Sequence, residues 1–212
     1  PKVSRMTRMK QFAAVQRHIR LSMELVMCMV CAMAFGLAAV AVNFAPLFYG
    51  ADFAYSGTLM IPLAFTLLSI GFANVIRTQW VLPQGRDTIF VHSVLTGAVI
   101  NLIANFVLIP PFGAMGAAAA TVLAEFSVPA VQFVYLRKEL PYAQYLKTTG
   151  VYCLFGLVMA GVVALLGRVL PLHGWGKLAV QVIVGAAVYG ALCLTYWKLA
   201  KRGDIFRLMR RK

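Results

Sequence analysis

Six apolar runs of about twenty residues or more constrain this 212-residue chain more than any other feature. A helix needs roughly 20 apolar residues to cross the hydrocarbon core of a bilayer, and hydrophobic residues make up 61% of the sequence. The runs cover residues 21–44, 56–82, 88–109, 113–136, 148–170 and 176–196. The sequence therefore predicts an all-α membrane protein with six transmembrane helices.

Positive charge is distributed unevenly along this ladder of runs. Eighteen of the twenty Lys and Arg residues fall before the first run, at the second-to-third and fourth-to-fifth junctions, or after the sixth. The opposite side receives Arg168 and Lys177. Loops rich in Lys and Arg stay in the cytoplasm, so we expect both termini inside and a multi-pass protein of the cytoplasmic membrane.

The same charge distribution argues against several functional classes. A net charge of +14 is typical of nucleic-acid binding, but here the cations flank apolar runs instead of forming one basic surface, so we expect no nucleic acid. The short outer loops leave no room for a soluble catalytic domain, and no nucleophile is paired with a base. We expect no enzyme, cofactor or metal site, and Cys28 and Cys31 to pack as small apolar residues.

Polar side chains inside the third and fourth runs are the main functional candidates. Glu125 lies near the middle of the fourth run, and Thr121 precedes it by one helical turn. Asn101 and Asn105 share a face of the third run. Ionisable groups inside a bilayer are usually functional or paired, so Glu125 favours a functional role, whereas the two amides fit either a polar path or hydrogen bonds between helices.

The second run adds polar groups to its inner half. Pro62 is expected to disturb its outer half, and Asn74, Arg77 and Gln79 follow toward the cytoplasm. The Arg77 guanidinium has the geometry to bind a phosphate, or else it extends to the interface beside Trp80. A polar path with bendable walls indicates transport.

The remaining segments carry fewer signals. The fifth and sixth runs contain no deeply placed charge and are expected to be peripheral. The first twenty residues place Met6, Met9 and Phe12 among basic residues, which predicts either a helix along the inner membrane surface or a solvated linker.

Residues 101–125, NLIANFVLIPPFGAMGAAAATVLAE, resemble the C-terminal part of bacterial polysaccharide flippases of the multidrug/oligosaccharidyl-lipid/polysaccharide superfamily. That family shows an Asn-rich helix ending in Ile-Pro, a Gly turn, a Gly-Ala pair and an Ala-Thr followed by Glu. Residues 1–4, PKVS, are similar to the segment after the family's eighth helix.

The resemblance implies helices nine to fourteen of a fourteen-helix, two-lobe transporter, and so a truncated N-terminus. It divides the chain into a basic juxtamembrane segment (1–20), second-lobe helices (21–138), two peripheral helices (139–200) and a basic cytoplasmic tail (201–212). The missing N-terminal lobe of the same chain would complete the central cavity.

The resemblance also implies a function. Such a protein flips undecaprenyl-pyrophosphate-linked oligosaccharide to the outer leaflet by alternating access, in contact with membrane lipids and alongside polysaccharide polymerase and export machinery. Arg77 would contribute to pyrophosphate binding, and Glu125 to ion coupling or lobe stability. The alternatives are a multidrug or cation antiporter of the same superfamily, a peptidoglycan-precursor flippase, and, beyond these, a membrane-bound enzyme or an assembly subunit.

Overall fold

The described part of the chain is built from α-helices. The computed structural model describes the backbone of residues 2–199 and the side chains of residues 14–199, and no β-strand occurs in that range. The predicted tail at 201–212 and the side chains of Met6, Met9 and Phe12 lie outside the described residues. Five helical segments within the described range are long and apolar enough to cross a membrane.

The first helix, α1 (Lys2–Tyr49), runs through both the predicted basic segment and the first predicted span. Its buried residues include Ile19, Met23, Met27 and Cys31, one at every fourth position. This spacing keeps side chains on one face of a helix. Helices from later parts of the chain pack against α1 on several sides, which makes it the central element of the described fold.

The predicted second span is interrupted several times. It comprises α2 (Ala54–Ala64), α3 (Thr66–Ile76), a π-helical turn (Arg77–Val81) and a 3₁₀ turn (Leu82–Gln84). The disturbance expected at Pro62 is present, because α2 ends two residues later and the Phe65 N–H donates to the Pro62 carbonyl at 3.2 Å. The π-helical and 3₁₀ turns lie at the predicted cytoplasmic end of this span.

The predicted third and fourth spans form one 50-residue element, α4 (Asp87–Leu136), which is why five long helical segments are present where six were predicted. The backbone of Gly113 is non-helical, with φ 55° and ψ −131°, and reverses the chain. A Cβ on Gly116 would lie 2.0 Å from the Leu108 carbonyl oxygen, and one on Gly97 would lie 3.2 Å from Val128. The two arms, 87–112 and 114–136, are therefore antiparallel.

The last two helices, α5 (Tyr142–Val169) and α6 (Gly174–Leu199), pack on α1 and on each other. Gly156 permits the closest approach, since a Cβ there would lie 2.4 Å from the Phe35 ring. Polar side chains also connect these two helices to α1, which their apolar sequence does not indicate.

A buried hydrogen-bonded network forms that connection. Glu24 of α1 is 2% exposed, and the Tyr152 hydroxyl of α5 donates to its Oε1 at 3.1 Å. The Trp197 indole of α6 donates to the Tyr152 oxygen at 2.8 Å. A buried carboxylate is tolerated when such donors surround it, so this network fixes three helices relative to one another.

Candidate functional site

A polar cavity of about 500 Å³ lies between α3 with its π-turn and the two arms of α4. Its wall combines apolar and small residues with six polar ones. We call it the polar cavity. The polar residues that line it are Asn74, Arg77, Asn101, Thr121, Glu125 and Gln132. Five of these six residues were predicted from the sequence, and they come from three separate helical stretches.

Arg77 supplies the positive charge of the polar cavity. It begins the π-turn, and its guanidinium carbon lies 4.8 Å from the centre of the Phe90 ring. A guanidinium over an aromatic face is stabilised electrostatically. Its Nε is buried and has no hydrogen-bond partner among the described residues. Arg77 therefore lines the cavity, and its Nε–H remains available for an anionic group.

Glu125 supplies the negative charge. It is half-buried in the second arm of α4, and within the described side chains its carboxylate forms no salt bridge. Its backbone is held in place, because the Ser69 hydroxyl of α3 donates a hydrogen bond to the Glu125 carbonyl. The carboxylate thus projects from a fixed backbone position into a cavity that also contains an arginine.

The two asparagines of the first arm occupy different positions. Asn101 lines the polar cavity, whereas Asn105 lies at a shallow apolar depression with Phe106 and Ile109. The Asn105 Nδ2 donates to the Asn101 Oδ1 at 2.9 Å, so the amides bond within one helix and not between helices. Asn105 therefore orients Asn101, and Asn101 faces the cavity.

Thr121 lines the polar cavity from the second arm, where its hydroxyl donates to the Ala117 carbonyl of the preceding turn at 3.0 Å. That bond uses the hydroxyl proton, so Thr121 presents an acceptor oxygen. Asn74, on α3, lines the same cavity one turn before Arg77.

Gln79 lies elsewhere. It lines a separate pocket at the predicted cytoplasmic end, with Trp80, Arg86 and Glu139 among its neighbours. Arg86 Nη1 contacts both carboxylate oxygens of Glu139, at 2.7 and 2.9 Å, and the Trp80 indole donates to the same carboxylate at 3.0 Å. These three residues form the cytoplasmic-end cluster, which holds the π-turn against the end of α4. Gln79 thus belongs with this cluster and not with the polar cavity.

Gln132 was not singled out from the sequence. It is 1% exposed, it lines the polar cavity, and its Oε1 has no hydrogen-bond partner in the described part of the chain. Helical spacing could have indicated it, because Gln132 follows Glu125 by seven residues and a seven-residue step returns to the same helix face.

A second cavity, of about 640 Å³, lies among α1, α5 and α6 and is almost wholly apolar. We call it the apolar groove; Met33, Leu37, Met159 and Tyr189 are among its lining residues. Leu67 of α3 reaches this groove, and Ile70, about one turn further along, reaches the polar cavity. The two cavities therefore lie on either side of one helix.

This arrangement supports binding more readily than chemistry. The polar cavity offers one guanidinium, one carboxylate and several amide or hydroxyl groups, which suit a ligand carrying both anionic and hydroxyl groups. In the described range, no three His, Cys, Asp or Glu side chains are placed to hold a metal ion together.

The long apolar helices define a multi-pass protein of the cell membrane, and the polar cavity lies between three of its helical stretches. A family model described as "Lipid II flippase MurJ" matches residues 1–185 of the chain. The chain therefore belongs to the MurJ lipid II flippase family, within the superfamily that the sequence resemblance indicates.

A solved structure supports the same fold. The structure described as "Lipid II flippase MurJ, inward closed conformation" superposes with a TM-score of 0.73 at 16% sequence identity. The match covers 87% of this chain and 39% of that one, so this chain spans about two fifths of the length of the matched protein. At this identity the likeness shows the fold. No curated protein matches the chain.

The sequence resemblance thus identified the superfamily correctly but indicated a different family within it. The motif in residues 101–125 favoured polysaccharide flippases, whereas the matching family model is that of the lipid II flippase. The family is named for a flippase, which is a transporter and not an enzyme. The specific assignment to oligosaccharide export has no support from these comparisons.

Proposed function

We propose that the protein containing this segment moves a lipid-linked peptidoglycan precursor, of the lipid II type, across the cytoplasmic membrane by alternating access. Family membership supports this choice over the oligosaccharide flippase and over the multidrug or cation antiporter. The observation that best supports the proposal is the position of Arg77. Its guanidinium, with a buried Nε, supplies the positive charge of a cavity whose other polar groups are amides, a hydroxyl and one carboxylate.

The cavity chemistry fits the head group of such a cargo. Arg77 binds a phosphate of the pyrophosphate link, using an Nε–H that has no partner within the described residues. Asn74, Asn101 and Thr121 provide hydrogen-bonding groups for sugar hydroxyls. Glu125 contributes to ion coupling or to the interface with the remaining lobe, in keeping with the usual significance of an intramembrane carboxylate.

The apolar groove fits the other half of an amphiphilic cargo. Its wall is apolar and lies across α3 from the polar cavity. A polyprenyl chain in the groove would be shielded from water, and a charged head group in the polar cavity would be shielded from the apolar lipid tails.

The domain division is part of the proposal. Residues 21–138 form helices of the second lobe, residues 139–200 form two appended helices, and a first lobe of the same protein completes the central cavity. The packing of α5 and α6 onto α1, opposite the polar cavity, supports this division. Membrane lipids and the enzymes that synthesise or polymerise the precursor are the expected partners.

A depletion and complementation experiment tests the function. Cells that depend on the full-length protein should accumulate the lipid-linked precursor on the cytoplasmic leaflet when it is removed, and Arg77→Ala should fail to relieve that accumulation. Arg137→Ala is the matched control, since Arg137 is an exposed arginine near the same membrane face and does not line the polar cavity.

Two results would contradict the proposal. Normal precursor transport in cells lacking the protein, together with accumulation of another lipid-linked saccharide, would favour the oligosaccharide flippase. Equal transport by Arg77→Ala and Arg137→Ala, at equal protein levels, would remove Arg77 from the transport path.

A further inference from the structure

The four cysteines of the chain meet in two pairs across helix interfaces. The Sγ atoms of Cys28 and Cys193 are 3.6 Å apart, and those of Cys31 and Cys153 are 3.7 Å apart. The first pair joins α1 to α6, and the second joins α1 to α5. Although Cys28 and Cys31 share one helix in a Cys-x-x-Cys spacing, each contacts a different partner helix. Simple packing does not require this matched arrangement.

Hydrogen bonds next to the cysteines hold both pairs in register. The Tyr189 hydroxyl, one turn before Cys193, donates to the Cys28 carbonyl at 2.7 Å. Tyr152, the residue before Cys153, donates to Glu24 of α1. Each interface is therefore held by a hydrogen bond whose tyrosine donor lies within one turn of a cysteine on α5 or α6, and the sulfur atoms remain close to each other without a covalent bond.

Each pair also combines one accessible and one buried thiol. Cys28 and Cys153 are partly buried, whereas Cys31 and Cys193 are buried. On a membrane-spanning helix, the part of such a side chain that the protein does not cover is open to the lipid phase. A reagent dissolved in the lipid phase therefore reaches one sulfur of each pair first, and the buried sulfur stands ready in van der Waals contact to complete the reaction.

We propose that Cys28–Cys193 and Cys31–Cys153 are two disulfide-forming modification sites, oxidised by a lipid-soluble two-electron oxidant of the quinone class. In each pair two S–H bonds break and one S–S bond forms. The two electrons and two protons that are released reduce one quinone to one quinol. A disulfide requires an S–S distance of about 2.05 Å, so each pair must close by roughly 1.6 Å.

The bridges would join positions that are far apart in the sequence, 165 residues for the first pair and 122 for the second. Oxidation would thus fix α5 and α6 covalently to α1 without rearranging the polar cavity, which lies on the other side of α3.

Peptide mapping under non-reducing conditions tests this inference. Membranes containing the full-length protein are treated with a short-chain quinone, free thiols are blocked with a maleimide, and the digest is analysed by mass spectrometry. The expected products are two cross-linked peptides, one joining Cys28 to Cys193 and one joining Cys31 to Cys153, both lost on reduction with a dithiol. Cys193→Ala should abolish the first product only, and Cys153→Ala the second only.

Two outcomes would overturn the inference. One is maleimide labelling of all four thiols after quinone treatment of the unmodified protein. The other is a bridge between Cys28 and Cys31, or any pairing that differs from the two above. Because the decisive measurement uses the unmodified protein, a folding defect in either alanine variant does not affect it.

Discussion

The hydroxyl of Ser69 donates a hydrogen bond to the main-chain carbonyl of Glu125, and so joins α3 to the second arm of α4 beside the polar cavity. Ser69 is 2% exposed. The backbone N–H that would normally donate to this carbonyl is missing, because residue 129 is a proline, and the serine hydroxyl supplies a donor in its place. This contact sets the distance between the wall that carries Arg77 and the wall that carries Glu125.

Ser69→Ala is expected to destabilise the protein by about 1–2 kcal/mol, because the substitution removes a buried hydrogen bond between two helices. Thermal unfolding in detergent measures the change. Ser127→Ala is the matched control, since the Ser127 hydroxyl donates to the Ala124 carbonyl of its own helix and connects no second element. A destabilisation as large for Ser127→Ala as for Ser69→Ala would contradict the role of the contact between helices.

Glu125→Gln is expected to reduce transport about tenfold or more while leaving the melting temperature nearly unchanged. The carboxylate forms no salt bridge among the described residues, and its backbone carbonyl still accepts from Ser69 in the variant. A tenfold change corresponds to about 1.4 kcal/mol. Transport and thermal unfolding should be measured on the same preparation. A lowered melting temperature with normal transport would assign Glu125 a structural role.

Gly156→Ala is expected to cost about 1–3 kcal/mol, because the new methyl group would lie 2.4 Å from the Phe35 ring and force α5 away from α1. Gly161→Ala, on the same helix, is the control, since a Cβ there meets nothing within 4 Å. The control is expected to be neutral or slightly stabilising, as alanine favours helix over glycine. Similar melting temperatures for the two variants would argue against close packing at this interface.

Glu139→Gln is expected to destabilise the protein by roughly 0.5–1 kcal/mol at low salt. Arg86 and Glu139 are each about one third exposed, at 33% and 35%, so solvent screening limits the strength of their ion pair. The difference from the unmodified protein should shrink at high salt, where surface charges are screened. Unfolding in low and high NaCl measures it, with Lys147→Ala as an exposed charge control. A salt-independent difference would indicate that the indole contact to Trp80 dominates.

The sequence predicts the membrane architecture well because bilayer crossing depends on local hydropathy and charge. The polar stripe containing Thr121 and Glu125 was also predictable, since helical periodicity alone places both on one face. The orientation of the first arm was less predictable. Asn101 reaches the polar cavity, whereas Asn105, one turn away, donates a hydrogen bond to Asn101 and lies outside the cavity. Whether a residue at the edge of a stripe faces a cavity depends on the rotation of the helix, which tertiary packing decides.

Other features required the structure. No periodic pattern predicts the π-turn that carries Arg77 and Gln79, although helical spacing alone already points side chains two residues apart to different faces. The contacts of Cys28 and Cys31 with α6 and α5 also join positions more than one hundred residues apart. Pairings of this kind depend on how whole helices assemble, and a single sequence contains no local signal for them.

The close approaches to α1 limit how this segment is able to move. Gly57, Gly71 and Gly156 bring α2, α3 and α5 against its backbone or side chains, and a Cβ at Gly57 would lie 2.7 Å from the Ala41 carbonyl oxygen. Interdigitated surfaces at such distances cannot slide without separating. The α4 hairpin packs mainly on α2 and α3. Under the alternating access proposed above, α1 would therefore move with α2, α3 and α5 as one rigid body.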